Sequence, residues 1–469
     1  MAAPKISDLL ARQILELNKQ GKDPVEIAHL LGLKKMQVGV VLAHEKLNAA
    51  APVPTNQEVF PKETYAHPQS YEGPPAERDD QVAVEKEPGR EVPAGLYVGD
   101  DSEYGDPLYW EPTDPQAVQN PHLMIMGESG SGKTYAAQCL VAELSQAGIP
   151  SVLFDYGQSF EVEGLEKCFV RFTKPTEYLI GEEGLALNPL EIFPRDIQGP
   201  NAVATRVSAV FDAVYHLGDI QRKVVIDAIL RAFEAVGIRP SDRSTWTSSP
   251  PTLSTLHGTL EELASSKDYP NSKNATGVTA RLTEFFILNS FRNDGPPWSW
   301  EKFIGDKDRR VHILQFRGLE GKTQRVIVEL LLWDLFFFLK SHGQSHLRLY
   351  CVLDEAHHLS FRDGGPADSL LREGRKFGLG IILASQQPED FNPAAFSNSA
   401  SKLVFQTSDP TLKVSKFLVA KCSNYSTPEQ IRDVVSVLKQ GEAFFITKNK
   451  GHVLRIAELE RRATLWNNS

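Results

Sequence analysis

Residues 127–134 read Gly-Glu-Ser-Gly-Ser-Gly-Lys-Thr. This stretch decides the fold, because it matches the phosphate-binding loop G-x-x-x-x-G-K-[ST] at every fixed position. Its glycines allow a tight turn in which successive backbone amides converge on phosphate oxygens. The apolar residues 122–126 predict a strand before the loop. Residues 135–144 predict a helix after it, whose N-terminus attracts anions. The sequence therefore predicts a nucleoside triphosphate site in a strand-loop-helix unit.

The residues of this loop have distinct predicted roles. The Lys133 ammonium reaches the β- and γ-phosphates, and the Thr134 hydroxyl suits Mg²⁺. The other predicted nucleotide-binding residues are Gly127, Glu128, Ser129, Gly130, Ser131 and Gly132. A glycine-rich turn of no function would not need both the lysine and the hydroxyl in this context.

Length and composition set the class of protein. A chain of 469 residues forms one large domain with extensions, or two to three domains. Its four cysteines are scattered, which is typical of a reducing cytoplasm and argues against a disulfide framework or a zinc site. No secretory pattern opens the chain, and the most apolar segment, residues 326–339, is too short to span a bilayer. We expect a cytoplasmic protein without a membrane partner.

The charge is unevenly distributed along the chain. The net charge is −10, but residues 51–115 alone contain 15 acidic residues against four basic ones. The rest of the chain is therefore close to neutral. That part of the chain could therefore present a basic surface to nucleic acid.

Residues 1–50 predict a small all-α domain that resembles a helix-turn-helix. Asp23 and Pro24 are typical of a helix start, and Gly32 follows as a turn. The last helix would present Lys34, Lys35 and Gln37. Its basic charge is modest, so both DNA and protein contacts stay open for this domain.

The next segment has the composition of a linker. Residues 51–93 contain eight prolines and few large apolar residues, which predicts a flexible, acidic connection over residues 51–94. From residue 95 an α/β pattern runs to residue 469. A mostly helical stretch at 195–300 interrupts it.

A second motif follows the apolar residues 349–353. These residues predict a strand, and Asp354 and Glu355 come directly after it. In folds with a phosphate loop, Asp354 would hold the Mg²⁺ shell and Glu355 would polarise the attacking water. Two acids at a strand end are otherwise a solvated edge, but the complete phosphate loop in the same chain favours the catalytic interpretation.

A third strand is predicted over residues 379–385, with Gln386 at its end. A polar side chain at this place lies near the γ-phosphate and senses hydrolysis, although an ordinary strand-to-loop glutamine fits the pattern as well. Arg375 precedes the strand. It is either a surface cation or an arginine finger that reaches a neighbour's nucleotide. Spacing alone favours the surface interpretation.

The ordered set of motifs resembles the HerA/FtsK superfamily of DNA-pumping ATPases, closest to the HerA branch, over roughly residues 95–460. The segments that support the resemblance are 121–127, 151–155, 187–190, 353–357, 372–378 and 384–388. No single segment beyond the phosphate loop is specific enough by itself.

The resemblance implies a RecA-like P-loop ATPase core with a parallel central sheet and a helical insertion. It implies a ring, usually hexameric, that moves on double-stranded DNA by hydrolysing ATP. The resemblance assigns Lys133 and Thr134 to ATP and Mg²⁺, Asp354 and Glu355 to metal and water, and Gln386 to γ-phosphate sensing.

Other parts of the resemblance concern contacts beyond one nucleotide pocket. Arg375 matches a trans-acting arginine of the family, and Arg317 is a second, weaker candidate. Residues 441–446 and 453–456 resemble the terminal strand pair. Archaeal members carry an N-terminal β-barrel that docks a nuclease. In this chain the helix-turn-helix-like domain and the acidic linker, residues 1–94, occupy that position. The identity of the partner is therefore undetermined, and we expect a nuclease or another effector in DNA processing or phage defence.

Three alternatives remain. Asp354-Glu-Ala-His357 also matches a superfamily-2 helicase, but the residues after Pro388 are too few for a second RecA-like domain. A nucleotide-gated DNA-binding adaptor for an effector would use ATP only to control assembly. A conjugation or secretion motor would share the Asn188-Pro-Leu190 segment. We find no carboxylate cluster for a separate nuclease site, and residues 361–365 are a candidate DNA-channel loop.

Overall fold

The computed structural model describes residues 14, 17–18, 22–31, 38, 95–193, 196–288, 290–292, 297–308, 310–319, 321–386 and 393–467. The chain divides into two compact units, Met1–Lys86 and Glu87–Ser469.

The first unit contains helix α1 (Pro24–Leu30). Asp23 caps it, because its Oδ1 accepts a hydrogen bond from the Glu26 amide at 2.9 Å, which confirms the predicted helix start. Ile27 and Ala28 are buried in a small cluster with Ile14 and Val38. The predicted helix 34–47, with Lys34, Lys35 and Gln37, lies outside the described residues except for Val38. The linker 51–94 also lies outside them.

The second unit alternates strands and helices. The strands are β1 (Leu96–Asp101), β2 (Pro107–Trp110), β3 (Leu123–Met126), β4 (Ser151–Asp155), β5 (Thr176–Leu179), β6 (Val311–Gln315), β7 (Ser345–Leu353), β8 (Phe377–Ser385), β9 (Ser401–Val404), β10 (Glu442–Thr447) and β11 (Lys450–Ile456). The helices are α2 (Lys133–Gln146), α3 (Lys167–Thr173), α4 (Ile180–Glu183), α5 (Pro200–Tyr215), α6 (Asp219–Ala235), α7 (Leu253–Ser265), α8 (Ser272–Ile287), α9 (Trp300–Gly305), α10 (Gly321–Ser341), α11 (Pro366–Glu373), α12 (Pro393–Asn398), α13 (Lys413–Val419), α14 (Pro428–Ser436) and α15 (Leu459–Asn467).

The strands of this unit form one sheet in the order β2-β1-β11-β10-β9-β3-β8-β7-β4-β6-β5. From β9 to β5 all neighbours pair in parallel. The strands β10, β11, β1 and β2 extend the sheet in antiparallel pairs. The predicted α/β class with a parallel central sheet is confirmed. Strand β8 lies between β3 and β7, so the loops after these three strands emerge side by side at the carboxyl edge of the sheet.

Strands β3, β4 and β6 and the carboxyl-terminal ends of β7 and β8 are buried because helices cover both faces of the sheet. Successive side chains point to opposite faces. In β3, Met124 and Met126 therefore join one core cluster while Leu123 and Ile125 join the other. The first cluster contains residues of α5 to α8 and α10, and the second contains residues of α2 and α15. Full burial of each such side chain contributes roughly 1.5–3 kcal/mol.

Helix α10 contains the most apolar segment of the sequence. It extends the predicted helix 326–339 at both ends and packs into the first core cluster. Within the described part of the chain, no helix has both the length and the apolar character that crossing a membrane requires.

Candidate functional site

The phosphate loop lies between the end of β3 and the start of α2. Gly127 has φ +148°, and a Cβ there would lie 2.6 Å from the Cβ of Phe405. The Glu128 amide donates to the Gln406 carbonyl at 2.8 Å, and the Gly441 amide donates to the Ser131 carbonyl at 3.1 Å. The loop is therefore held in place by the residues that follow β9 and precede β10.

Lys133 is enclosed by this loop. Its side chain is buried, and Nζ donates to the Glu128 carbonyl at 2.8 Å. Burial lowers the pKa of Lys133, while the nearby Glu355 and Asp354 carboxylates oppose that change. Among the described residues no side chain caps α2, whose Ncap residue is Gly132. The amides of its first turn thus remain for an anion, as a phosphate site requires.

Asp354 lies at the end of β7 and is buried. Burial, with the neighbouring Glu355 and Asp155, raises the pKa of Asp354 to about 6. Its Oδ2 is buried and has no hydrogen-bond partner within the part of the chain that the structure describes. Proteins hold Mg²⁺ with one or two carboxylates plus substrate phosphates. Asp354 and the Thr134 hydroxyl fit that ion.

The structure adds Asp155, a residue to which the sequence assigned no role. Asp155 ends β4, which pairs with β7 through Phe154 and Leu353. Its fully buried carboxylate accepts hydrogen bonds from the amides of Ser159 (3.0 Å) and Phe160 (2.8 Å). It also accepts one from Gln315 Nε2 at 2.7 Å. An apolar strand ending in aspartate was the available signal, but only the strand order places Asp155 beside Asp354.

Glu355 and Gln386 contact each other across neighbouring strand ends. Gln386 Nε2 donates to Glu355 Oε1 at 2.7 Å. The Glu355 backbone is left-handed, with φ +47° and ψ +47°. This conformation costs a non-glycine residue roughly 1–2 kcal/mol, and such strain clusters at functional sites. A change at either side chain is thereby transmitted to the other.

The two candidate arginines lie at opposite edges of the sheet. Arg375 is exposed on the turn before β8 and donates to the Gln119 carbonyl. Strand β8 has nine residues, which corresponds to ~30 Å between Arg375 and the carboxyl edge. Arg317 follows β6 at the carboxyl edge, where it pairs with Glu161 at 2.6 Å and Glu182 at 2.8 Å. Arg375 is therefore distant from the phosphate loop of its own chain, and both roles stay predictions.

A cavity of about 720 Å³ opens beside the start of α2. Gly132, Tyr135, Gly441 and Arg455 are among the residues that line it. The cavity adjoins the phosphate loop and has room for a nucleoside. Three glutamates also line it: Glu166, Glu458 and Glu460.

Residues 112–335 match the family model described as helicase HerA, central domain. The DNA double-strand break repair helicase HerA of Saccharolobus solfataricus is 22% identical over 344 residues, which cover 70% of this chain and 62% of that protein. A probable helicase of Methanocaldococcus jannaschii is 22% identical over 312 residues, which cover 64% of this chain and 55% of that protein. The chain thus matches 62% and 55% of the lengths of these relatives.

Solved structures share the fold. VirB4 of Thermoanaerobacter pseudethanolicus superposes with a TM-score of 0.61 at 18% identity, covering 78% of this chain and 96% of that one. The bacterial conjugative coupling protein TrwB superposes with a TM-score of 0.52 at 16% identity, covering 77% of this chain and 88% of that one. The sheet and the phosphate loop define a P-loop nucleotide-binding core. The family match over residues 112–335 and the similarity to HerA helicases support a HerA/FtsK-type P-loop ATPase, in agreement with the resemblance seen in the sequence.

Proposed function

We propose that this chain hydrolyses ATP and, as a subunit of a ring of about six copies, drives movement along double-stranded DNA. One observation supports this function above the others. A complete phosphate loop, the buried Asp354 and the bonded pair Glu355–Gln386 meet at one edge of the sheet, in a chain similar to HerA helicases. Positioning and electrostatics of this kind are the main requirements of phosphoryl transfer.

Each residue of the site has a role in the proposed reaction. Lys133 leaves the Glu128 carbonyl and binds the β- and γ-phosphates, while Thr134 and Asp354 would hold Mg²⁺. When bound, Mg²⁺ neutralises charge that develops on the phosphates. Glu355 accepts a hydrogen bond from the attacking water and orients it. Gln386, bonded to Glu355, links the state of the γ-phosphate to β8.

Nucleotide and metal binding have support from a protein of the same fold. TrwB has been solved in complex with ADP and Mg²⁺. The position of Arg375 supports a ring. Because this arginine lies at the edge opposite its own phosphate loop, it would complete the pocket of an adjacent subunit.

The partner is the least defined part of the proposal. The similar HerA protein of S. solfataricus is named for double-strand break repair. We propose that the motor serves a nuclease or another effector in DNA processing or phage defence, and that residues 1–50 contribute to choosing the partner.

Two other functions compete with this one. A conjugation or secretion motor is favoured by the likeness in fold to VirB4 and TrwB. A nucleotide-gated adaptor would bind ATP and an effector, with little hydrolysis. The length of DNA distinguishes an adaptor from a translocase, because only a translocase uses ATP in proportion to the track available.

The test is the steady-state ATPase rate of the full chain with duplexes of increasing length, and Glu355→Gln as the inactive control. We expect stimulation that rises with duplex length and then levels off. A rate indifferent to DNA, together with a stable complex with an effector, would instead support the adaptor.

Subunit mixing tests the ring. We expect Arg375→Ala to be inactive alone but to restore hydrolysis when mixed with Lys133→Ala, because a mixed ring contains pockets with both an intact lysine and an intact neighbouring arginine. Inactive mixtures at every ratio would reject the trans role of Arg375.

A further inference from the structure

A second strand-loop-helix unit borders a cavity of about 290 Å³ at the carboxyl edge of the sheet. Strand β6 leads into it, and α10 begins with Gly321-Lys322-Thr323, the same three residues that begin the phosphate-loop helix. We call it the basic cavity. Its lining residues are Tyr156, Val214, His216, Gly321, Lys322, Gln324, Arg325 and His358.

The charge of the basic cavity favours an anion. Lys322 and Arg325 are permanently positive and lie on the first turns of α10, whose N-terminus adds a partial positive charge. His216 and His358 are exposed on its rim, and none of the described residues that line it is acidic. In contrast, three glutamates line the cavity beside Gly132.

One buried carboxylate lies close to the basic cavity, and arginines offset it. Glu329 is 3.7 Å from Arg325 and 3.5 Å from Arg362. Two positive charges thus face one negative charge, and Lys322 adds a third. Arg362 belongs to the segment 361–365, the candidate channel loop of the sequence, so Arg362 of that loop and Arg325 of the basic cavity both lie near Glu329.

Aromatic rings connect the basic cavity with the core of the sheet. The Phe154 and Phe316 rings stack at 6.0 Å, Phe316 and Tyr156 at 5.7 Å, and Tyr156 and His358 at 5.3 Å. The Tyr156 hydroxyl is buried and has no hydrogen-bond partner among the described residues. It is a donor that a phosphate oxygen can use. Cations that contact phosphates are the usual means of binding duplex DNA without reading its sequence.

We propose that the basic cavity binds a phosphodiester group of DNA and transmits that contact to the hydrolytic residues. This inference rests on the proposed function. Two of its residues are linked to the nucleotide site along the chain. His358 ends the short turn that begins directly after Glu355, and Tyr156 follows Asp155. DNA that moves the His358 ring therefore acts on the backbone that positions Glu355.

The test compares two lysines of the same helix. Lys322→Ala removes a charge from the basic cavity, and Lys340→Ala removes one from the exposed far end of α10, which is 21 residues long. The measurement is fluorescence anisotropy with a labelled duplex over a range of salt concentrations. We expect Lys322→Ala to weaken duplex binding about 5–10-fold and to reduce the salt slope by about one. Lys340→Ala should stay within about twofold of wild type because an exposed charge away from the DNA contributes little.

A second variant separates binding from transmission. His358→Ala should reduce the stimulation of ATP hydrolysis by DNA more than it reduces duplex affinity. Lys322→Arg should retain duplex binding, since the charge remains, and melting temperatures verify that each variant is folded.

The outcomes distinguish this inference from the proposed function. If wild-type ATPase responds to DNA but Lys322→Ala binds duplex like Lys340→Ala, the basic cavity is not the contact, and the proposed function stands. Full stimulation of His358→Ala would reject the transmission step. If the wild-type chain neither binds duplex nor hydrolyses ATP, the proposed function itself fails.

Discussion

Gly-Lys-Thr occurs twice in this chain, each time at the start of a helix that follows a parallel strand. In the first unit Lys133 is enclosed, with 7% of its surface exposed and its Nζ bonded to the loop carbonyl of Glu128. In the second unit Lys322 is exposed at the basic cavity, with Nζ 5.6 Å from the centre of the Tyr215 ring. The same three residues thus form an enclosed site in one place and an open surface in the other.

The two units differ at the residue five positions before the glycine of Gly-Lys-Thr, and this residue accounts for the different exposure of the two lysines. In the first unit it is Gly127, whose positive φ lets the loop wrap closely against Phe405. In the second unit it is Phe316, which is fully buried and stacks between Phe154 and Tyr156. The Phe316 ring is held in the core, and Lys322 stays exposed. Enclosure requires the first glycine of the motif as well as the lysine.

The largest expected effect concerns hydrolysis in the enclosed unit. Glu355→Gln should bind ATP normally but turn it over about 10²–10⁴-fold more slowly, the usual contribution of a general base. Nucleotide affinity and the rate of phosphate release give the two readings. Normal turnover by this variant would remove Glu355 from the mechanism.

Nucleotide affinity separates the two lysines. Lys133→Ala should weaken binding of a fluorescent ATP analogue by ~100-fold, because hydrogen bonds to charged groups contribute about 1.5–3 kcal/mol each. Lys322→Ala should keep its nucleotide affinity, since it lies at a different cavity. Equal losses in the two variants would contradict the distinction between an enclosed and an open unit.

Alanine substitutions at Gly127 and Gly321 should lower the stability of the protein by different amounts. Gly127→Ala adds a Cβ 2.6 Å from Phe405 in a backbone with positive φ, and we expect it to lower the free energy of unfolding by about 3 kcal/mol. Gly321 has φ +54°, but a Cβ added there would meet no other described residue within 4 Å apart from its chain neighbours, so we expect Gly321→Ala to lose only about 1 kcal/mol. Urea denaturation of both variants checks the order, and a larger loss for Gly321→Ala would reverse the account.

The last prediction concerns the helix of the open unit. Burial raises the pKa of Asp334 in α10 to about 7, although the Trp300 indole donates a hydrogen bond to it at 2.6 Å. A raised carboxyl pKa means that the folded state binds the proton more tightly. Wild-type stability should therefore fall as pH rises from about 4 to about 7, whereas Asp334→Asn removes this contribution.

Chemical denaturation across this pH range measures the difference between the two proteins. Asp334→Asn should be more stable than wild type by up to about 4 kcal/mol at pH 8, with the difference vanishing near pH 4. A difference that does not change with pH would show that Asp334 does not titrate in this way.

The sequence predicted the parts of the site that are local in the chain. The phosphate loop is eight consecutive residues, and Asp354 and Glu355 adjoin a strongly apolar strand, so their pattern is visible without the fold. Parallel pairing in the centre of the sheet was implied by the resemblance to the HerA/FtsK superfamily.

Contacts between distant segments were not predictable. Asp155 meets Asp354 only because β4 pairs with β7, and Phe405 supports Gly127 only because β9 pairs with β3. Strand β7 begins at Ser345, before the apolar residues that predicted it, because Ser345 pairs with Phe377 of β8. The basic cavity combines four separate segments, and none of them is distinctive by itself.

The most direct test of the central claim is single-particle imaging of the full chain with a non-hydrolysable ATP analogue and duplex DNA. We expect a closed ring around the duplex, with nucleotide at residues 127–134 and DNA phosphate at Lys322 and Arg325. Isolated subunits that bind nucleotide but leave the duplex free would contradict it.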